Sequence, residues 1–89
     1  MEYRPDFPSN KNTTDLKQRS LILLNDQEND FDYVIDCLVL VCDHTLIQAE
    51  QAAVITHYNG SCIIKEGSFL DLLNIKKDLT LYGLSLEIK

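Results

Sequence analysis

Leu21-Ile22-Leu23-Leu24 is a short, continuously apolar run, and Asn25-Asp26-Gln27-Glu28-Asn29-Asp30 breaks it with a cluster of turn formers. Such a run lacks helical periodicity and suits a strand in the middle of a sheet, running into a polar loop. The remaining elements must pair with that strand or cover it.

Phe31, Val34, Ile35, Leu38, Val41 and Cys42 recur at three- and four-residue intervals, the stripe of an amphipathic helix. Asn29 or Asp30, just before it, can cap the free N–H groups of the first turn. Thr45 with Gln48 three residues later is a capping-box pattern, followed by Leu46, Ala49, Ala53 and Thr56 on one stripe. Asn59-Gly60 supplies the stop, so the second helix ends near His57 and Tyr58. Cys62-Ile63-Ile64 reads as a second strand. Ser68 and Asp71 open a short third helix through Phe69, Leu72 and Leu73, which Asp78 ends. Tyr82, Leu84, Leu86 and Ile88 then alternate with Leu81, Gly83, Ser85 and Glu87, the pattern of a half-buried strand. The order β-α-α-β-α-β predicts an α+β domain: a three-stranded, mostly antiparallel sheet with three helices on one face. Residues 1–17 hold two prolines, several Asn, Ser and Thr and no hydrophobic periodicity, so they read as a flexible extension ahead of a core spanning 18–89.

Eighty-nine residues can bury one modest core and no second one. Apolar residues make up 45% and charged residues 25%, the mixture of a soluble globule, and no apolar stretch approaches the length of a membrane span. Met1-Glu2-Tyr3-Arg4-Pro5-Asp6 has no apolar stretch behind a basic start, so no secretory leader is visible and a cytoplasmic protein is expected. Fourteen acids against eight bases, the bases not clustered, argue against nucleic acid as a partner. Two glycosylation sequons, Asn12-Thr13-Thr14 and Asn59-Gly60-Ser61, read as chance in such a protein.

Cys37, Cys42 and Cys62 are odd in number, lie in apolar segments and form no CxxC pair, which fits buried, reduced thiols. A zinc set of Cys42, His44, His57 and Cys62 matches no standard spacing. There is no G-x-S-x-G, P-loop, H-E-x-x-H or Gly-rich dinucleotide turn. His57 with Cys62 is the one pair that could serve a thiol hydrolase, and an apolar strand favours the neutral thiol. No catalytic residue, metal or cofactor is assigned, and an enzyme is not expected. Asn25-Asp26 and His57 remain, each beside apolar residues; capping a loop and completing a helix end would suffice to explain them.

A resemblance sharpens this. Leu21 to Asp26, then Phe31-Asp32-Tyr33-Val34-Ile35-Asp36-Cys37-Leu38, then Ala49 to Gly60 ending in His57-Tyr58-Asn59-Gly60, resembles the ClpS family, adaptors that deliver proteins to the Clp protease. It runs without a gap from about Ser20 to Gly60. The family's fold is similar to the C-terminal domain of a ribosomal stalk protein, with strands and helices in the order read above. The resemblance implies a site for the free α-amino group and first side chain of a substrate protein, as in the N-end rule. It places amino-group binding at Asn25, Asp26 and His57, and a side-chain pocket at Leu23, Asn29, Phe31, Val34, Ala53, Thr56 and Tyr82. The implied partners are N-terminal segments of substrate proteins and a Clp-family AAA+ unfoldase of the ClpA or ClpC type, with no nucleic acid and no membrane.

The residue types suit that role. An α-ammonium is a cation with three donors, and the Asn25 amide oxygen, Asp26 (directly or through water) and a neutral His57 nitrogen are acceptors. An imidazole accepts only when neutral, so binding should weaken in acid. The chain departs from the family pattern at Gln27, Asp30, Phe31 and Ala53, where the family carries an acid, a proline, a methionine-like gate and a larger pocket residue. Lys65 stands where a second glycine is usual, and the third helix is shortened to Ser68–Lys77. Two other functions remain open. One is an interaction or regulatory module that kept the fold and lost N-terminal recognition; the other is an enzyme pairing His57 with Asp26. Convergence of Asn25, Asp26 and His57 on one cavity separates the first reading from the second, and a reactive Cys62 beside them would favour the third.

Overall fold

The computed structural model describes residues 18–89; the expected N-terminal extension lies outside them. Strand β1 (Arg19–Leu24) is the centre of a three-stranded sheet of order β2-β1-β3, with β2 at Ser61–Gly67 and β3 at Ser85–Ile88. Both pairings are antiparallel. Leu21 and Leu23 turn to one face and are buried, while Ile22 and Leu24, on the other, are half-buried. Leu23 sits between Cys62 on β2 and Leu86 on β3. The three helices, α1 (Phe31–Cys42), α2 (Leu46–Asn59) and α3 (Phe69–Leu81), cover the face of Leu21 and Leu23. Leu21, Leu38, Leu72, Leu79 and Cys42 are fully enclosed between the two layers. Each such leucine contributes roughly 1.5–3 kcal/mol by leaving water.

The β1–β2 register slips between Leu21, opposite Lys65, and Ile22, opposite Ile63, leaving Ile64 as an extra residue. The Ile64 carbonyl accepts from His44 Nε2–H at 2.8 Å, so the group lying out of the ladder is satisfied by a side chain from the α1–α2 connection. That bond fixes the imidazole tautomer, and Nδ1 of His44 is buried without a partner among the described residues.

The capping box at Thr45 forms as its sequence predicts. The Gln48 backbone N–H donates to Thr45 Oγ1 at 3.1 Å, and the Thr45 N–H to Gln48 Oε1 at 2.9 Å. The buried stripe of α2 is Ala49, Ala52, Ala53 and Thr56; Leu46 lies at its edge and is exposed. Gly60 ends the helix in the left-handed region, φ +92°, with its N–H on the Thr56 carbonyl at 2.9 Å. At α1 the expected cap differs. Asp30 occupies the cap position without a side-chain bond, and Asn29 turns its amide away from the helix.

The C-terminal part requires two corrections. Helix α3, capped by Ser68 Oγ accepting from the Asp71 N–H, does not end at Asp78 but continues to Leu81. Leu79, fully buried, anchors the extra turn in the core. Accordingly the last strand does not begin at Leu81 or Tyr82. Tyr82 is the helix cap, Gly83 turns the chain at φ +91°, and only Ser85–Ile88 pair in the sheet. The Leu84 N–H returns to the Leu79 carbonyl at 3.1 Å, which drives the Leu84 side chain into the core.

Candidate functional site

A cavity of about 630 Å³ opens where the C-terminal end of β1 meets the C-terminal end of α2. Leu23 ends the buried part of β1 and points into it; Asn25 and Asp26 follow as the chain leaves the sheet. From α2, Ala53, Thr56 and His57 reach it at successive three- and one-residue steps, along one face and its edge. Phe31 and Val34 contribute the first turn of α1, and Leu84 comes from the turn before β3.

One glycine joins the two polar halves. The Asn25 N–H donates to the Gly60 carbonyl at 2.9 Å, and the Gly60 N–H donates to Thr56, the residue before His57. Residues more than thirty positions apart in the chain are thereby held by two backbone hydrogen bonds. A side chain at Gly60 would meet no neighbour within 4 Å, but its left-handed φ is one that L residues rarely adopt.

The floor and walls are apolar: Leu23, Ala53 and Leu84 are buried, Val34 is half-buried, and Phe31 is 44% exposed. The Thr56 hydroxyl donates its proton to the Ala52 carbonyl at 2.8 Å, so only its oxygen lone pairs face the cavity. The polar end is formed by Asn25, Asp26 and His57. Asn25 and His57 are exposed, and the His57 ring meets Tyr58 edge to face with centroids 5.0 Å apart. Asp26 is tied into its own loop. Oδ1 accepts from the backbone N–H groups of Glu28 (3.0 Å) and Asn29 (3.1 Å) and from Asn29 Nδ2 (3.0 Å); Oδ2 accepts from Asn29 Nδ2 (3.1 Å) and Ser85 Oγ (3.3 Å). A carboxylate has about four acceptor positions. Asp26 therefore offers a ligand its charge more readily than a vacant lone pair.

Of the ten residues that the sequence points to, nine line this cavity: Leu23, Asn25, Asp26, Asn29, Phe31, Val34, Ala53, Thr56 and His57. Tyr82 does not. As the cap of α3 it keeps its side chain outside the lining, and its carbonyl accepts from the Tyr33 hydroxyl. Leu84, two residues further along the chain, lines the cavity. Leu24, Gln27, Asp30, Val54 and Tyr58 complete the lining. Tyr58, 80% exposed beside His57, is the one whose solvent-facing aromatic ring could have marked it from the helical register.

The cysteines stand apart from this site. Cys37 and Cys42 are buried, Cys62 is half-buried, and burial pushes all three thiols up, that of Cys42 to about 11. Cys62 does not line the cavity and donates its S–H to the Ile63 carbonyl at 3.4 Å. Among the described residues no group of three or more His, Cys, Asp or Glu side chains is placed to hold a metal ion. No helix among them is long and apolar enough to cross a membrane. An apolar chamber with an open amide, an imidazole and a fixed carboxylate at one end suits a ligand with a cationic donor head and an apolar body.

The family model for the ATP-dependent Clp protease adaptor protein ClpS matches residues 15–85. Among solved structures, the fold is similar to that of ClpS2 from Agrobacterium tumefaciens, determined bound to L-phenylalaninamide. The TM-score is 0.75 at 19% identity, over 82% of this chain and 95% of that one. No curated protein matches the chain.

Proposed function

The chain belongs to the ClpS family of Clp protease adaptors, and on that premise we propose that it binds the free N-terminal residue of substrate proteins, bulky and apolar, and passes them to a Clp-type ATPase. The observation that carries this reading is the meeting of Asn25, Asp26 and His57 at one end of a single apolar cavity. An α-ammonium seated there donates to the Asn25 amide oxygen and to a neutral His57 nitrogen. Asp26, its oxygens engaged by its own loop, acts through its charge or through a bridging water. The first side chain then enters between Leu23, Val34, Ala53 and Leu84. The related ClpS2, solved with an amino-acid amide that has a free amine and an aromatic side chain, supports a ligand of this shape.

Charge-assisted hydrogen bonds contribute roughly 1.5–3 kcal/mol each and a buried Leu or Phe side chain a similar amount. Association costs several kcal/mol, so dissociation constants in the micromolar range are expected, about −8 kcal/mol. The handover to an AAA+ unfoldase of the ClpA or ClpC type rests on the family match. The role is that of an adaptor, with no chemical step of its own.

The test is fluorescence anisotropy of a labelled peptide beginning with Leu or Phe, against its N-acetylated twin. Micromolar binding by the free peptide, lost on acetylation and reduced at least tenfold in His57→Ala, is the expected result. Equal binding of free and acetylated peptides, or none of either, would instead favour an interaction module that keeps the fold without N-terminal recognition.

A further inference from the structure

The α3–β3 turn is held to the site by two side chains, those of Asn29 and Tyr33. Asn29 Nδ2 donates to the Gly83 carbonyl at 3.0 Å and, with its other hydrogen, to the Asp26 carboxylate at 3.0 and 3.1 Å. The Tyr33 hydroxyl, on α1, donates to the neighbouring carbonyl, that of Tyr82. Ser85 Oγ closes the same ring on Asp26 Oδ2. Two consecutive carbonyls of one turn are thus fastened, one to the polar loop and one to the first helix. The next residue, Leu84, is the one that the turn places in the cavity wall, 4% exposed.

From this arrangement we propose that Asn29 and Tyr33 are positioning residues that set the first-residue preference of the site by clasping the 82–84 turn, and with it Leu84, against the cavity. The proposal rests on the reading of the cavity as an N-terminal-residue site. Asn29 is suited to the task because a primary amide has two hydrogens, one for each end of the clasp. Gly83 is suited because its φ of +91°, which L side chains rarely adopt, is unstrained in glycine. Tyr33 does not line the cavity, so its influence on a ligand must pass through the turn. With the clasp intact, Leu84 forms a fixed wall that rewards a side chain filling the space. With it cut, the wall yields, and filling the space gains less.

Two variants cut the clasp, one from outside the lining and one from within it. Tyr33→Phe removes one hydroxyl from a residue outside the cavity. Asn29→Asp keeps the shape of the lining but replaces the donor with an acceptor facing Asp26 and the Gly83 carbonyl. Peptides beginning with Phe, Leu and Ala, each free and N-acetylated, are titrated against the wild type, both variants and the double variant, with thermal melting to confirm folding. The expected result is a fall of about tenfold in the Phe-to-Ala affinity ratio in each single variant. The acetylation penalty persists, and the double variant falls short of the product of the singles. Unchanged Phe-to-Ala ratios in folded Tyr33→Phe and Asn29→Asp, with the acetylation penalty intact, would overturn the clasp and leave the N-terminal-residue site standing. Absence of an acetylation penalty in the wild type would overturn both.

Discussion

Cys42 occupies the last turn of α1 at 2% exposure, and burial pushes its thiol up to about 11, against a smaller downward pull from the Lys65 cation. In the unfolded chain the same thiol ionises in the ordinary cysteine range. Above pH about 9 the unfolded state therefore sheds a proton that the folded state keeps, so stability is undiminished by this group below that pH and falls as pH climbs towards 11. Tyr33, whose hydroxyl is also raised, by desolvation first and then by Cys37, acts with the same sign. Urea denaturation from pH 8 to 11 should show declining stability in the wild type and a shallower decline in Cys42→Ala, from a lower starting point. Equal slopes would mean that Cys42 ionises as readily folded as unfolded. At this scale the sequence was a good guide to residue types at the site and a poor guide to their bonds. Asn25-Asp26 and His57 stand out as polar residues beside apolar ones. Nothing in their spacing shows that Asp26 would spend its oxygens on Glu28, Asn29 and Ser85, a residue fifty-nine positions away.

Helix α2 brings Ala53, Thr56 and His57 to the cavity from its C-terminal half, whereas its capping box lies at the other end. His57 is twelve residues from Thr45, about 18 Å along the axis. Thr45→Ala should lower stability by about 1 kcal/mol in chemical denaturation and leave peptide affinity unchanged; a loss of affinity in the folded variant would mean that the helix shifts as a whole. The elements with strong local signals were legible: the uninterrupted run of β1, the capping box and glycine stop of α2, and the serine that opens α3. The end of α3 was not. Asp78 looks like a stop because aspartate is a poor helix former, but one buried leucine at position 79 outweighs that preference. Tyr82, Leu84, Leu86 and Ile88 imitate a strand because a helix cap, a glycine turn and a four-residue strand happen to share a two-residue spacing. Tyr82 was expected in the pocket from the family resemblance, whereas Leu84, two residues on, lines the cavity.

At the scale of the whole molecule, charge is segregated among the described residues. From Ser20 to Ile64 the chain has seven acids and no lysine or arginine; the described bases are Arg19, Lys65, Lys76, Lys77 and Lys89. The loop and first helix beside the cavity supply Asp26, Glu28, Asp30, Asp32 and Asp36 and, among the described residues, no lysine or arginine, so a cationic amine meets opposite charge there. Peptide affinity should accordingly fall a few-fold as ionic strength rises from about 0.01 to 0.15 M, because the screening length contracts from about 30 to 8 Å. A salt-independent titration would show that only the groups in direct contact matter. The sheet also has two distinct ends. Ser20 and Lys89 exchange a pair of backbone hydrogen bonds at one of them, whereas Asn25 leaves β1 at the other. Five residue steps of strand separate these points by about 17 Å. A dye, a resin or a fused domain joined to Lys89 would therefore hang from the end of the sheet opposite the cavity, leaving its mouth unobstructed by the tether.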